Sequence, residues 1–194
     1  MWKRLALWYL RVSGWKIEGE VPEEKRFVLI AAPHTSNWDL PLLLAFAAVF
    51  DLKISWLGKH SLFAPPLGTI MRALGGIPIV RHKNSNVVDA MVTEFKKRSE
   101  LVLVVPTEGT RARVDFWKSG FYHIAKGADV PIVPSYLDYG NKRGGFGAAI
   151  RPSGNMKHDM QYFRELYADK LGLYPDLFGP VRLREEGAED QGSE

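Results

Sequence analysis

The 194-residue chain contains no cysteine. That excludes disulfides, thiol nucleophiles and thiolate metal sites, and it suits a reducing compartment. Long apolar runs are also missing: the longest, Leu40 to Phe50, falls short of the ~18 residues a spanning helix needs and is interrupted by Pro41. No secretory leader is expected, because the apolar stretch Leu5 to Leu10 ends at Arg11 and no small-residue cleavage site follows. No Gly-x-Ser-x-Gly elbow occurs, which argues against a serine hydrolase. Gly144-Gly145-Phe146-Gly147 lacks the Lys-Ser or Lys-Thr that completes a phosphate loop, and it reads better as a hairpin turn between two strands. His60, His82, His123 and His158 have no partner at metal-ligand spacing, so no metal is assigned.

What is present is a globular composition, 46% hydrophobic and 25% charged, which separates the chain from disordered sequences and gives one domain a real core. The net charge of +4 fits anionic partners such as a phospholipid surface, a coenzyme A thioester or an acidic carrier protein. Nucleic acid is not expected, since the cations are scattered through apolar sequence with no basic helix and no nucleic-acid module.

Residues 1–18 read as an amphipathic segment. Trp2, Leu5, Trp8, Tyr9 and Val12 recur at near-helical spacing, Lys3, Arg4, Arg11 and Lys16 supply charge, and no acid precedes Glu18. Such a helix either lies in a headgroup region or packs on the domain. The six tryptophans Trp2, Trp8, Trp15, Trp38, Trp56 and Trp117 suit an interface as a group, with Trp56 assigned to the core. Residues 19–184 alternate short apolar runs with helical patterns. Strands are expected at Phe27–Ala32, Ile54–Leu57, Ile77–Val80, Leu101–Val105, Pro131–Leu137 and Ala148–Arg151. Helices are expected at Leu40–Phe50, Leu67–Leu74, Asn86–Arg98, Phe121–Lys126 and Met160–Leu171, the third carrying the stripe Val87, Val88, Met91 and Phe95. This predicts a single α/β layered domain whose central, mostly parallel or mixed sheet is flanked by helices. The acidic residues 185–194 lack apolar anchors and are expected to form a disordered tail.

The chemistry concentrates at Pro33-His34-Thr35-Ser36-Asn37-Trp38-Asp39, directly after the first apolar strand. A His and an Asp five apart do not share a helix face, so they meet only across a turn. A helix capped by Ser36 or Thr35 would leave His34 on the turn and Asp39 in the first helical turn. Two readings fit: a base with its orienting carboxylate, or a capping box in which Asp39 only reaches back to a backbone N–H. A second polar group, Glu108-Gly109-Thr110-Arg111, follows the run Leu101 to Val105 and so falls at a strand's carboxyl end, where α/β sheets place ligands. It is either an anion site, with Gly109 allowing close approach and Arg111 offering a planar fork, or a polar turn with a Glu–Arg ion pair. Lys59 is placed to meet a phosphate, or is an ordinary surface lysine.

Together with His34-x-x-x-x-Asp39, four further segments recur in order: Gly75-Gly76-Ile77-Pro78-Ile79-Val80-Arg81, Val104-Val105-Pro106-Thr107-Glu108-Gly109-Thr110-Arg111, Lys118-Ser119-Gly120-Phe121 and Val130-Pro131-Ile132-Val133-Pro134. Over residues 27 to 140 the chain resembles the glycerolipid acyltransferase family typified by lysophosphatidate acyltransferases. The resemblance implies His34 as general base, Asp39 as its orienting group, and Arg81, Glu108, Gly109, Thr110 and Arg111 as acceptor-binding residues. It departs from the family at Pro33, Thr107 and Ala112, where Asn, Pro and Ser are usual, and none of these departures replaces the base or the arginine. It implies an O-acyltransferase without a cofactor, acting peripherally on the cytoplasmic face of an anionic membrane. The donor would be an acyl-CoA or acyl carrier protein thioester and the acceptor a lysophospholipid such as 1-acylglycerol-3-phosphate. The alternatives are a phosphate-free lyso-lipid acceptor, a thioester or ester hydrolase using the same pair, and a non-catalytic lipid-binding protein.

Overall fold

The computed structural model describes residues 2–20, 22–79 and 84–187. Seven strands form one mixed sheet: β1 (Lys16–Glu18), β2 (Arg26–Ala31), β3 (Ile54–Lys59), β4 (Gly76–Ile79), β5 (Leu101–Pro106), β6 (Ile132–Asp138) and β7 (Arg143–Phe146). Their order is β1-β7-β6-β2-β5-β3-β4, parallel at every pairing except β6 against β7. Helices α1 (Trp2–Val12), α2 (Asp39–Val49), α3 (Gly68–Ala73), α4 (Asn84–Lys97), α5 (Gly120–Ala128) and α6 (Met156–Tyr167) surround it.

The central strands are apolar on both faces because both faces are covered. Val28, Ile30, Leu101 and Leu103 face α4, α5 and α6, where the expected Met91 and Phe95 stripe is buried. Phe27, Leu29, Val102 and Val104 face α2. Helix α2 lacks a polar face for the same reason: Leu43 and Ala47 pack on the sheet, while Leu42, Phe46 and Val49 pack on Ala6 and Leu10 of α1. Burying a side chain such as Leu10 contributes about 1.5–3 kcal/mol to holding α1 on the domain.

The site's position follows from the connections. The chain leaves β2 through α2 toward β3, and leaves β5 through α5 toward β6 on the opposite face and in the opposite direction. Between the adjacent parallel strands β2 and β5 this makes a topological switch point, where a crevice opens at the carboxyl ends. Ala31 lies in register with both Pro106 and Ser135, so the loops after β2, β5 and β6 gather at one edge.

Several expectations are corrected. The hairpin turn falls at residues 139–142, ahead of Gly144, because Asp138 supplies the carboxylate that closes it, accepting from Gly140 N–H and Asn141 Nδ2. Gly144 instead sits in β7, where a Cβ would run into the Phe46 ring. The expected strand at 148–151 reduces to one bridge between Ile132 and Ile150. Helix α6 starts at Met156 since Asn155 caps it, its side chain accepting from His158 N–H. Trp117 is buried, and Trp15 packs edge-on against Phe46 and Tyr139, so neither joins an exposed interface. The tail expected from Glu185 is folded through Gly187: Glu185 accepts from Ser119 Oγ, and Glu186 accepts from Arg164 and from Leu183 N–H. Residues 188–194 lie outside the described residues.

Candidate active site

The loop from Ala32 to Trp38 carries His34 from the end of β2 to the start of α2. His34 Nδ1 lies 3.0 Å from Asp39 Oδ2, and the same oxygen accepts the Ser36 N–H at 3.0 Å. One carboxylate therefore both reaches back to a backbone N–H of the loop and holds the imidazole. The expected caps do other work: Thr35 Oγ1 accepts from Tyr174 N–H and Ser36 Oγ from Trp38 N–H, so α2 begins without a side-chain cap and with Asp39 at its positive end. Because the Asp39 carboxylate accepts, the hydrogen bond assigns the proton to Nδ1 and leaves Nε2 with a lone pair. Asp39 Oδ1 accepts from Tyr139 Oη at 2.8 Å, a contact no sequence motif announced. Burial, then the Asp39 carboxylate, raise the Tyr139 phenol well above its ordinary range, which keeps it a donor.

Glu108 is turned into the protein. It is 2% exposed, its Oε1 accepts the His34 N–H at 3.0 Å and its Oε2 accepts from Thr107 Oγ1. Burial raises its carboxyl above the usual range, opposed first by the His34 N–H bond. It braces the His34 backbone, and among the described residues no ion pair joins it to Arg111. Glu108→Ala is therefore expected to cost about 1–3 kcal/mol through the orphaned His34 N–H. Thermal unfolding measures that loss, and an acceptor KM that rose with an unchanged Tm would restore the substrate-binding role.

The turn after Glu108 exists because Gly109 adopts φ +68°, its N–H donating to Pro106 O. Gly109 and Thr110 are exposed, and Thr110 Oγ1 accepts from Ala112 N–H. Arg111 from this turn and Lys59 from the end of β3 are exposed at the mouth of a cavity of about 590 Å³. Arg81 lies outside the described residues. Inside the mouth, past His34, the walls turn apolar: Leu43, Phe46 and Ala47 of α2 on one side, Leu29, Val104 and Ile54 of the sheet on the other. Trp56 forms part of the wall, its indole N–H donating to Leu74 O. Leu62 and Met71 also line it. Among the described residues no three His, Asp or Glu side chains converge as a metal site requires.

Two curated relatives, the 1-acyl-sn-glycerol-3-phosphate acyltransferases of Salmonella typhimurium and Salmonella typhi, are each 31% identical over 131 residues, covering 62% of this chain and 52% of theirs. The chain thus spans about half the length of the curated relatives it matches. The crystal structure of the 1-acyl-sn-glycerophosphate (LPA) acyltransferase PlsC from Thermotoga maritima shares the fold, with a TM-score of 0.60 at 18% identity over 87% of this chain and 75% of that one. The sequence model of the family described as Acyltransferase matches residues 15–138, more than half of the chain and the whole span from Trp15 through His34, Asp39 and Arg111. The chain belongs to the acyltransferase family.

Proposed function

We propose that the protein transfers a fatty acyl group from an acyl thioester, on coenzyme A or an acyl carrier protein, to the hydroxyl of a lysophospholipid such as 1-acylglycerol-3-phosphate. The observation that carries this reading is the His34–Asp39 pair at the mouth of an apolar cavity rimmed by cations. Fatty chains suit the apolar depth and phosphates suit the rim. The acceptor hydroxyl gives its proton to His34 Nε2 as its oxygen attacks the thioester carbonyl, and Asp39 stabilises the imidazolium that forms. The tetrahedral adduct then expels the thiolate, which takes the proton back, so no acyl-enzyme is needed. Labelled acyl-CoA given to pure protein, with and without lysophosphatidate, tests this: acceptor-dependent transfer supports it, while acceptor-independent release identifies a hydrolase.

The phosphate of the acceptor is assigned to Arg111, with Lys59 lining the same cavity. Arg111→Lys keeps the charge but loses the planar fork, and the expected result is a loss of about 1.5–3 kcal/mol in kcat/KM for lysophosphatidate, in the range of a charged hydrogen bond. A preference for a phosphate-free lyso-lipid, unaffected by Arg111→Lys, would overturn the phosphate site and leave the acyl transfer standing.

The lipid substrates also require a bilayer contact, which we assign to α1. Trp2 and Trp8 are 74% and 62% exposed, Leu5 and Val12 are exposed beside them, and Lys3, Arg4 and Arg11 flank them. Ala6 and Leu10 face α2, so the apolar residues left outside are surplus to packing. Each cation near an anionic surface adds about 1 kcal/mol. Among the described residues no helix is long and apolar enough to cross a membrane, so attachment by α1 is superficial. Sedimentation with phosphatidylglycerol vesicles is expected to show binding that weakens with salt and with Trp2→Ser/Trp8→Ser. Undiminished binding by that double variant would refute the assignment.

A further inference from the structure

Asp39 is 6% exposed, and its two oxygens are held from different parts of the chain. Oδ2 takes His34 Nδ1–H and Ser36 N–H from its own loop, both at 3.0 Å. Oδ1 takes the Tyr139 hydroxyl at 2.8 Å, from a residue 100 positions later. We propose that Tyr139 is a positioning residue for the His34–Asp39 pair, its hydroxyl fixing the rotation of the Asp39 carboxylate and thereby the tautomer and aim of the imidazole.

The torsion that turns a carboxylate about its last bond is broad and nearly two-fold, so the side chain's own rotamer preference does not hold Oδ2 toward His34. Two donors converging on Oδ2 leave the opposite oxygen to settle the plane. If Oδ1 has no donor in a nearly closed site, the carboxylate turns to find one, and the His34 contact is what it gives up. Tyr139 is built to prevent this. It directly follows β6, the strand beside β2, and its own N–H donates to Leu171 O at 2.8 Å. Its ring meets Trp15 edge-on, centroids 5.1 Å apart at 84°, and Trp15 meets Phe46 edge-on at 6.0 Å and 82°. Phe46 belongs to α2, the helix that Asp39 begins, so the phenol is backed by an aromatic stack rooted in the element it must align with. The ring and the hydroxyl are thus separable in function, the ring packing the hairpin and the hydroxyl serving the carboxylate.

Tyr139→Phe keeps the ring and the stack and removes only the hydroxyl. The kinetic part of this inference rests on the acyltransferase reading: kcat is expected to fall roughly 10- to 100-fold, the scale of a small misalignment at a reacting centre, with KM for donor and acceptor little changed. In an Asp39→Asn background the same change is expected to cost under about twofold, because the negative charge whose placement the hydroxyl controls is already gone. A second readout needs no substrate. In ¹⁵N spectra of the labelled full chain, with the His34 signals assigned by their loss in His34→Gln, the neutral imidazole is expected to be mainly the Nδ1–H tautomer, and Tyr139→Phe is expected to raise the Nε2–H share. An unchanged tautomer ratio overturns the inference whatever happens to kcat. A raised KM at constant kcat overturns it too, since it would place Tyr139 against a substrate. A wild-type protein that transfers no acyl group defeats the acyltransferase reading instead, and the tautomer measurement then still decides Tyr139.

Discussion

Alanine at His34 is expected to reduce acyl transfer by about 10²–10⁴-fold, the usual worth of a general base, with Tm little altered. The argument for the small structural effect is local. The groups that fix the loop are the His34 N–H on Glu108 and the Ser36 N–H on Asp39, both of which survive truncation of the imidazole. What is removed is a partly exposed ring whose hydrogen-bond partner among the described residues is Asp39. Asp39 keeps Ser36 N–H and Tyr139 Oη as donors, so no buried charge is stranded. On the proposed mechanism the acceptor hydroxyl, a weak nucleophile at neutral pH, loses its proton acceptor at the moment of attack. Kinetics against acyl-CoA and lysophosphatidate, paired with thermal unfolding, check both halves. Retained turnover removes His34 from the chemistry, and a large drop in Tm shows that the ring was packing.

The parts of this site that are legible in the sequence are those set by short-range chemistry. The run Phe27 to Ile30 reads as a buried strand because both sheet faces are covered, and His34 and Asp39 are near enough in sequence that only one kind of turn joins them. Sequence misleads at residues whose partners arrive from far along the chain. Thr35 is a fair cap by its neighbours, but Tyr174 claims its hydroxyl, and nothing near Glu108 in sequence shows that the pairing of β2 with β5 sets it beneath the His34 N–H. Tyr139 carries no local signal at all, because its approach to Asp39 depends on β6 lying next to β2. The misplaced hairpin has a different origin: two glycines of β7 read as turn residues, although Gly144 makes room for the Phe46 ring. Long-range register, with the close approaches it creates, is what residue spacing does not encode.

Asparagine at Asp39 is expected to remove most of the same activity, within about tenfold of the His34→Ala loss, and again to leave the fold nearly intact. The hydrogen-bond geometry shows why the fold tolerates the amide. Ser36 N–H points at the Oδ2 position and requires an acceptor there, so the amide oxygen takes that place, still facing His34 Nδ1–H. The amide nitrogen then falls at the Oδ1 position and donates to Tyr139 Oη, a hydroxyl able to accept as well as donate. Every polar group keeps a partner, and the tautomer of His34 is preserved. Only the negative charge is gone, and with it, on the proposed mechanism, the stabilisation of the imidazolium that forms as the acceptor hydroxyl gives up its proton. This variant consequently separates the two roles that the sequence left open. Activity lost at a steady Tm assigns the carboxylate's charge to catalysis, while near-normal turnover at a lowered Tm would reduce Asp39 to a helix-capping group and leave His34 without the partner on which the mechanism depends.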